Sequence, residues 1–367
     1  MVYLLTAFLA SLALTLILVR HKYLPSRHCA DGDLAEARKD HMRSMPRAGG
    51  VALVLAVLAS SVPLAYREPQ MLAPLLLIWA CSLPAFAGGL AGDLGRRASV
   101  RLRFLFVGIS GVLAYCVLDA QVIRVNVLGI DWLLQYAAVS FIATLIVIGG
   151  AASAINIIDG CNGLAAVVAA LIFAGFAYVA YCVGDRLLLV MSACMIGAIC
   201  GFLVWNYPNG LIFLGEGGAY FIGYMIGVVA VLLLGRHANV SAWFPLLLCF
   251  YPVFEALFSI YRKVFLRGMS PARPDRLHLH MLIYRRVVRW ADAGPGERRR
   301  EVQRNAMTSP FLWAFSFLAG AAALLFWQSE PVLIGFTCLF VVAYMLLYRV
   351  LVRFRVPKWM VVRKRQG

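Results

Sequence analysis

The chain has 367 residues, 62% of them apolar (Ala, Val, Ile, Leu, Met, Phe, Trp, Tyr or Cys) and only 14% charged. A soluble domain is about 45–50% apolar and about 25% charged, so no single water-soluble core hides this many apolar side chains; a soluble globule, a disulfide scaffold and a disordered chain are excluded. The formal charge of +17 acquires meaning only once it is placed on a membrane topology.

A bilayer-spanning helix needs about 20 mostly apolar residues. Eleven such runs occur, at 2–19, 49–66, 71–91, 104–120, 133–150, 163–183, 187–206, 217–235, 241–261, 309–328 and 331–350. The predicted fold class is an all-α polytopic membrane protein of about 11 transmembrane helices, a single integral domain over 1–367. Solid apolar blocks of this kind exclude an outer-membrane barrel. The first run lacks a preceding basic stretch and is followed by Arg20, His21 and Lys22, so it reads as a span and not as a cleaved signal.

With the N-terminus outside, the inner segments are 20–48, 92–103, 151–162, 207–216, 262–308 and the tail from 349. They hold 30 of the 34 Lys and Arg residues, and the outer segments hold only Arg67, Arg124, Arg186 and Arg236. This bias predicts an outside N-terminus and a cytoplasmic C-terminus. It also spreads the basic charge over inner loops, with no nucleic-acid-binding module. The outer loops are too short to build a site, so chemistry is expected on the cytoplasmic face. The nine cysteines form no CxxC pair and read as small buried hydrophobes.

Five inner segments carry polar chemistry. The first, His41-Met-Arg-Ser-Met-Pro-Arg47-Ala-Gly49-Gly50, opens a helix whose backbone N–H groups suit an anion; a basic juxtamembrane loop on anionic lipid is the plainer alternative. The second is Gly92-Asp93 followed by Arg96, Arg97, Arg101 and Arg103, either a phosphate-handling site or an interfacial anchor. The third, Asn156-Ile-Ile-Asp159-Gly160-Cys-Asn162-Gly163-Leu164, and the fourth, Phe213-Leu-Gly215-Glu216-Gly217-Gly218, contain no Lys or Arg and set a carboxylate among glycines. Carboxylate and amide oxygens suit a hard cation such as Mg²⁺, while Asp-Gly and Asn-Gly are also ordinary turn formers. The fifth, Arg273-Pro-Asp275-Arg276-Leu-His278-Leu-His280, combines imidazole and guanidinium, which suit a pyrophosphate. Its two histidines would point alike only on an extended segment.

Taken in order, these segments resemble the polyprenyl-phosphate N-acetylhexosamine-1-phosphate transferases, glycosyltransferase family 4, related to undecaprenyl-phosphate GlcNAc-1-phosphate transferases and phospho-MurNAc-pentapeptide translocases. His41–Gly50 resembles the family's HxxPxPRxGG loop. Asn156–Leu164 resembles NxxDGxNGL, Phe213–Gly218 resembles FxGDxG, and Pro274–His280 resembles PDxxHxH. Pro252-Val-Phe-Glu255 resembles a PxxD before the large loop. The chain departs from the pattern at Gly92, where many members have a first Asp, and at Glu216 and Glu255, each an Asp in the pattern. A third loop histidine is Met281, and Asn162 replaces a second Asp.

The resemblance implies a multi-pass enzyme of the inner membrane. Such an enzyme transfers N-acetylhexosamine-1-phosphate from a UDP-sugar to polyprenyl phosphate and releases UMP, starting a lipid-linked O-antigen or cell-wall polymer. It implies Mg²⁺, or Mn²⁺, held by Glu216 with Asn156 or Asp159. Asp93 and Asp159 would position or deprotonate the lipid phosphate, with Asn162 beside them in the catalytic set. His41, Arg47, Asp275, Arg276, His278 and His280 would bind phosphates or nucleotide, and Glu255, Arg101 and Arg103 would serve the lipid or the site's frame. Asn156 and Asn162 are equally candidates for uridine or sugar. UDP-N-acetylhexosamine, polyprenyl phosphate and membrane lipid are the expected partners, nucleic acid is not, and a homodimer is a candidate assembly. A transporter has thin support, because only Glu255 lies clearly inside a span; an inactive scaffold is the further alternative.

Overall fold

The computed structural model describes residues 1–23, 47–94, 100–268, 270, 277–288 and 297–353. Within them the chain is all-helical, with no strand, and ten helices are long and apolar enough to cross a membrane. The protein is a multi-pass membrane protein by these helices.

In chain order the first helices are α1 (Val2–Tyr23), α2 (Gly49–Ala59), α3 (Ser61–Arg67), α4 (Pro69–Asp93), α5 (Val100–Val117), α6 (Ile130–Leu133), α7 (Ala137–Ile158), α8 (Leu164–Cys182), α9 (Arg186–Asn206) and α10 (Gly215–Arg236). The sequence continues with α11 (Trp243–Leu248), α12 (Phe250–Tyr261), α13 (Leu279–Arg286), α14 (Glu297–Leu325) and α15 (Glu330–Val352).

Helix α10 is the hub and is buried almost throughout. It is apolar on every side, as a helix surrounded by others must be. It packs on α2, α4, α7 and α8. Its Gly223 and Gly227, one turn apart, lie against Ala151–Ala152 and Ile148 of α7, with no room for a side chain on either. Small residues let helices approach this closely in a bilayer, where packing replaces the hydrophobic drive.

Two boundaries differ from the sequence expectation. The run 241–261 is divided between α11 and α12 at Cys249. Pro252 explains the division: it has no N–H to donate to Leu248 O, and its ring crowds that carbonyl. The segment expected as loop 151–162 is helical as far as Ile158, with Ala152, Ile155 and Ile158 buried on one face. No Gly or Pro interrupts it before Gly160.

The two ends of the bundle differ chemically. At one end Glu68 pairs with Arg186 at 2.6 Å, and Asp185 faces His237 at 3.0 Å. There Arg124 Nη2 donates to the carbonyls of His237 and Val240. The other end of α4, α7 and α10 gathers Asp93, Asp159 and Glu216.

Candidate active site

Asp93 is the last residue of α4, and Glu216 is the second residue of α10. Asp93 Oδ1 accepts the Glu216 N–H at 3.0 Å, and Oδ2 accepts the Gly217 N–H at 2.9 Å. A carboxylate from one helix thus satisfies the open N–H groups at the start of another, where the helix dipole favours negative charge. Gly215 makes room for it: its φ is +78°, and a Cβ there would lie 2.6 Å from Asp93 Oδ2.

The Glu216 side chain turns to Arg103, near the start of α5. Arg103 Nη1 lies 2.8 Å from both carboxylate oxygens, with hydrogen-bond geometry only to Oε1. Oε2 is buried without a hydrogen-bond partner. Each side chain is about a quarter exposed, so the pair borders an accessible space.

Asp159 follows the end of α7. Asp93 acts on it electrostatically, and Arg47 acts on Asp93, Asp159 and Glu216 alike. Burial, and then the Asp93 charge, push the Asp159 carboxyl up to about 7, against the pull of Arg47. Part of its surface stays open. Asn156, half-buried on α7, precedes it by three residues and shares its side of the helix. Three carboxylates and two guanidinium groups therefore converge from four helices and a loop.

A second group adjoins the first. Glu255 of α12 is fully buried, and a buried carboxylate needs donors. His278 Nδ1 lies 2.8 Å from its Oε1, the Leu279 N–H donates at 3.2 Å to each oxygen, and Tyr344 of α15 donates to Oε2 at 2.7 Å. The rings of His278 and His280 lie parallel, with centroids 5.6 Å apart. His278 is extended and precedes α13, which is how a His-x-His spacing aligns two rings. His280 is buried with neither ring nitrogen hydrogen-bonded. Burial holds its imidazole down at about 4, so at pH 7 it is neutral and carries one N–H. A Cβ at Gly160 would collide with His280 Nε2, so the loop after α7 runs directly over this ring.

Asn162 is held from several directions. Its N–H donates to Asn305 Oδ1 at 2.6 Å, its Nδ2 to Pro208 O at 3.0 Å, and its carbonyl accepts Ser309 Oγ at 2.6 Å. Asn206 Oδ1 accepts the Gly163 N–H at 2.6 Å, and Asn206 Nδ2 donates to Ile212 O at 2.8 Å. Asn206 thereby ties the Asp159 loop to the segment leading into Glu216. Sequence reasoning missed Asn206, Asn305, Ser309 and Tyr344. Asn206 had a signal in the polar Asn-Tyr-Pro-Asn-Gly turn that follows an apolar run; a single hydroxyl in a long apolar helix, as at Tyr344, has none.

The Gly49 and Gly50 N–H groups, expected to face an anion, donate instead to Phe213 O and Leu214 O at 3.1 and 2.9 Å. They join the start of α2 to the loop before α10. Arg101 is exposed at the start of α5, away from the buried side that carries Arg103. His41, Asp275 and Arg276, with Arg96, Arg97 and the tail beyond residue 353, lie outside the described residues.

A divalent cation fits this donor set in one form. Among the described residues no three His, Cys, Asp or Glu side chains gather as a closed cage. A hard cation shared with phosphate oxygens needs only one or two protein carboxylates. Glu216 Oε2, buried and ion-paired with Arg103 Nη1 at 2.8 Å but without a hydrogen bond, is the candidate atom, and Asp159 accepts no hydrogen bond among the described residues.

Comparison with known proteins bears on the same residues. Residues 75–234 match the model of glycosyl transferase family 4. That region contains Asp93, Arg103, Asp159 and Glu216 but not the Glu255–His278 group. The chain is 29% identical over 290 residues to a probable undecaprenyl-phosphate N-acetylglucosaminyl 1-phosphate transferase of Bacillus subtilis, covering 76% of this chain and 77% of the relative. It is 28% identical over 322 residues to the decaprenyl-phosphate N-acetylglucosaminephosphotransferase of Mycolicibacterium smegmatis, covering 79% and 74%. A phospho-N-acetylmuramoyl-pentapeptide-transferase of Moorella thermoacetica is 29% identical over 195 residues, covering 51% and 61%. The first two of these relatives are N-acetylglucosamine-1-phosphate transferases of polyprenyl phosphates by name, as the sequence resemblance implied.

Proposed function

We propose that this protein transfers an N-acetylhexosamine-1-phosphate from a UDP-sugar to a polyprenyl phosphate at the cytoplasmic face of the inner membrane, releasing UMP. An oxygen of the lipid phosphate attacks the β-phosphorus of the UDP-sugar. The bond from that phosphorus to the bridging oxygen breaks, and UMP carries the electron pair away. The observation that carries this reading is the convergence of Asp93, Asp159 and Glu216 with Arg47 and Arg103 at one end of a membrane bundle.

Each residue has a task that follows from its surroundings. Arg47 and Arg103 offset the charge of two phosphorylated substrates brought together. Glu216, with Asp159 or Asn156, would hold Mg²⁺ or Mn²⁺. The chemistry such a cation would supply is neutralisation of phosphate charge. Asp159 positions the attacking lipid phosphate. That phosphate needs little help as a nucleophile, since the second pKa of a phosphate monoester is about 6. Asp93 acts through the backbone of Glu216 and Gly217. His280 offers a neutral N–H to a phosphate oxygen, and Glu255 fixes His278 beside it.

The test is UMP release by purified protein in detergent, given polyprenyl phosphate, MgCl₂ and a panel of UDP-N-acetyl sugars. Release that requires lipid and is abolished by EDTA and by Glu216→Ala is the expected result. UMP formed equally without lipid, or no UMP from any sugar with folded protein, overturns the reading.

A further inference from the structure

Gly92 stands in the last turn of α4, a position where alanine would be the better helix former. A Cβ there would lie 2.6 Å from Glu216 Oε2, and 3.3 and 3.4 Å from Nη2 and Nε of Arg103. The first contact is far inside any ordinary carbon–oxygen separation. A side chain at 92 and the Glu216–Arg103 pair therefore compete for one space. The oxygen that touches this space is the buried one with no hydrogen-bond partner.

We propose that Gly92 is a positioning residue for Glu216, and that the side-chain lengths at 92 and 216 are coupled. The bare backbone at 92 leaves the room that the longer acid needs to lay its carboxylate across the end of α4. Arg103 Nη1 then holds the carboxylate at 2.8 Å from both oxygens, and Oε2, which makes no hydrogen bond, would be the oxygen offered to a cation. An Asp at 216 would withdraw the carboxylate by one carbon–carbon bond and vacate the space over residue 92. The missing side chain at 92 and the extra methylene at 216 are thus one arrangement, in which a single carboxylate reaches the site from α10. The chemical meaning of this coupling rests on the transferase reading above; the coupling itself does not.

The experiment is a double-mutant cycle in the full chain with Gly92→Ala, Glu216→Asp and the two combined. Thermal unfolding in detergent, without substrate or cation, and UMP release are both read. Gly92→Ala alone is expected to lower the melting temperature and to cut UMP release about 10- to 100-fold, the scale of a small misplacement at a reacting centre. Adding Glu216→Asp to it is expected to raise both values above those of Gly92→Ala. Simple packing of α4 would show no such recovery. The proposal is overturned if Gly92→Ala matches the parent in both readouts, or if the two substitutions only multiply. If Gly92→Ala does not fold, a folded double variant supports the coupling and an unfolded one overturns it. A parent that releases no UMP overturns the transferase reading, while the melting cycle still decides the coupling.

Discussion

Asp93 closes the first turn of the helix that carries Glu216, accepting the backbone N–H groups of Glu216 and Gly217 at 3.0 and 2.9 Å. Its carboxylate joins α4 to the hub helix and sets where Glu216 begins. Asp93→Ala removes both acceptors and is expected to cost about 1–2 kcal/mol, the scale of a lost helix cap. Asp93→Asn keeps one acceptor and is expected to cost less. Thermal melts of the purified variants rank them, and equal melting of Asp93→Ala and the parent would refute the capping role.

Asp159 is expected to make stability and activity depend on pH in opposite directions. Its folded pKa is raised from 3.8 to about 7, so the folded state holds the proton more tightly than the unfolded chain. Its contribution to stability is fully present below about 3.8 and is lost as pH rises through about 7. Asp159→Asn is expected to flatten this part of the stability curve. UMP release that needs the ionised carboxylate should instead rise as pH passes through about 7. Melting temperatures and initial rates across that interval, for the parent and for Asp159→Asn, check both signs.

Tyr344 completes the hydrogen bonding of a carboxylate that has no access to water. Tyr344→Phe deletes the donor to Glu255 Oε2 and leaves that oxygen only the long contact to the Leu279 N–H. The expected loss is about 1–3 kcal/mol, the cost of an unmet buried acceptor. In a Glu255→Gln background the same substitution should cost much less, because no charge then waits for the hydroxyl. A four-variant melting series measures this; equal costs in the two backgrounds would separate Tyr344 from Glu255.

Gly160 is the contact between the Asp159 loop and the His280 ring. Gly160→Ala must push aside a buried imidazole already stacked on His278. Overpacking of this kind costs about 1–3 kcal/mol. UMP release is expected to fall more steeply than stability, since the displaced loop carries Asp159. His280→Ala combined with Gly160→Ala should recover the melting temperature without the activity. Recovery of neither would place the strain elsewhere.

Sequence patterns determined much of this protein. Apolar runs long enough to cross a bilayer allow little but membrane helices, because backbone N–H and C=O groups in lipid must be satisfied within the segment. The segments around Asp159 and Glu216 were legible because glycines beside an acid, free of Lys and Arg, stand out against basic loops, and the Asp93 segment because its acid at a span end is followed by four arginines. Tertiary structure alone decided how these groups meet. Asp93 reads as a free acid until the start of α10 is seen beneath it. The Gly49 and Gly50 N–H groups read as an anion site until Phe213 and Leu214 are found to accept them. The break at Cys249, the exclusion between Gly92 and Glu216, and the hold of Tyr344 on Glu255 join residues far apart in the chain. Local periodicity records which face of a helix is apolar, whereas these pairings depend on which helices meet and how closely their backbones approach.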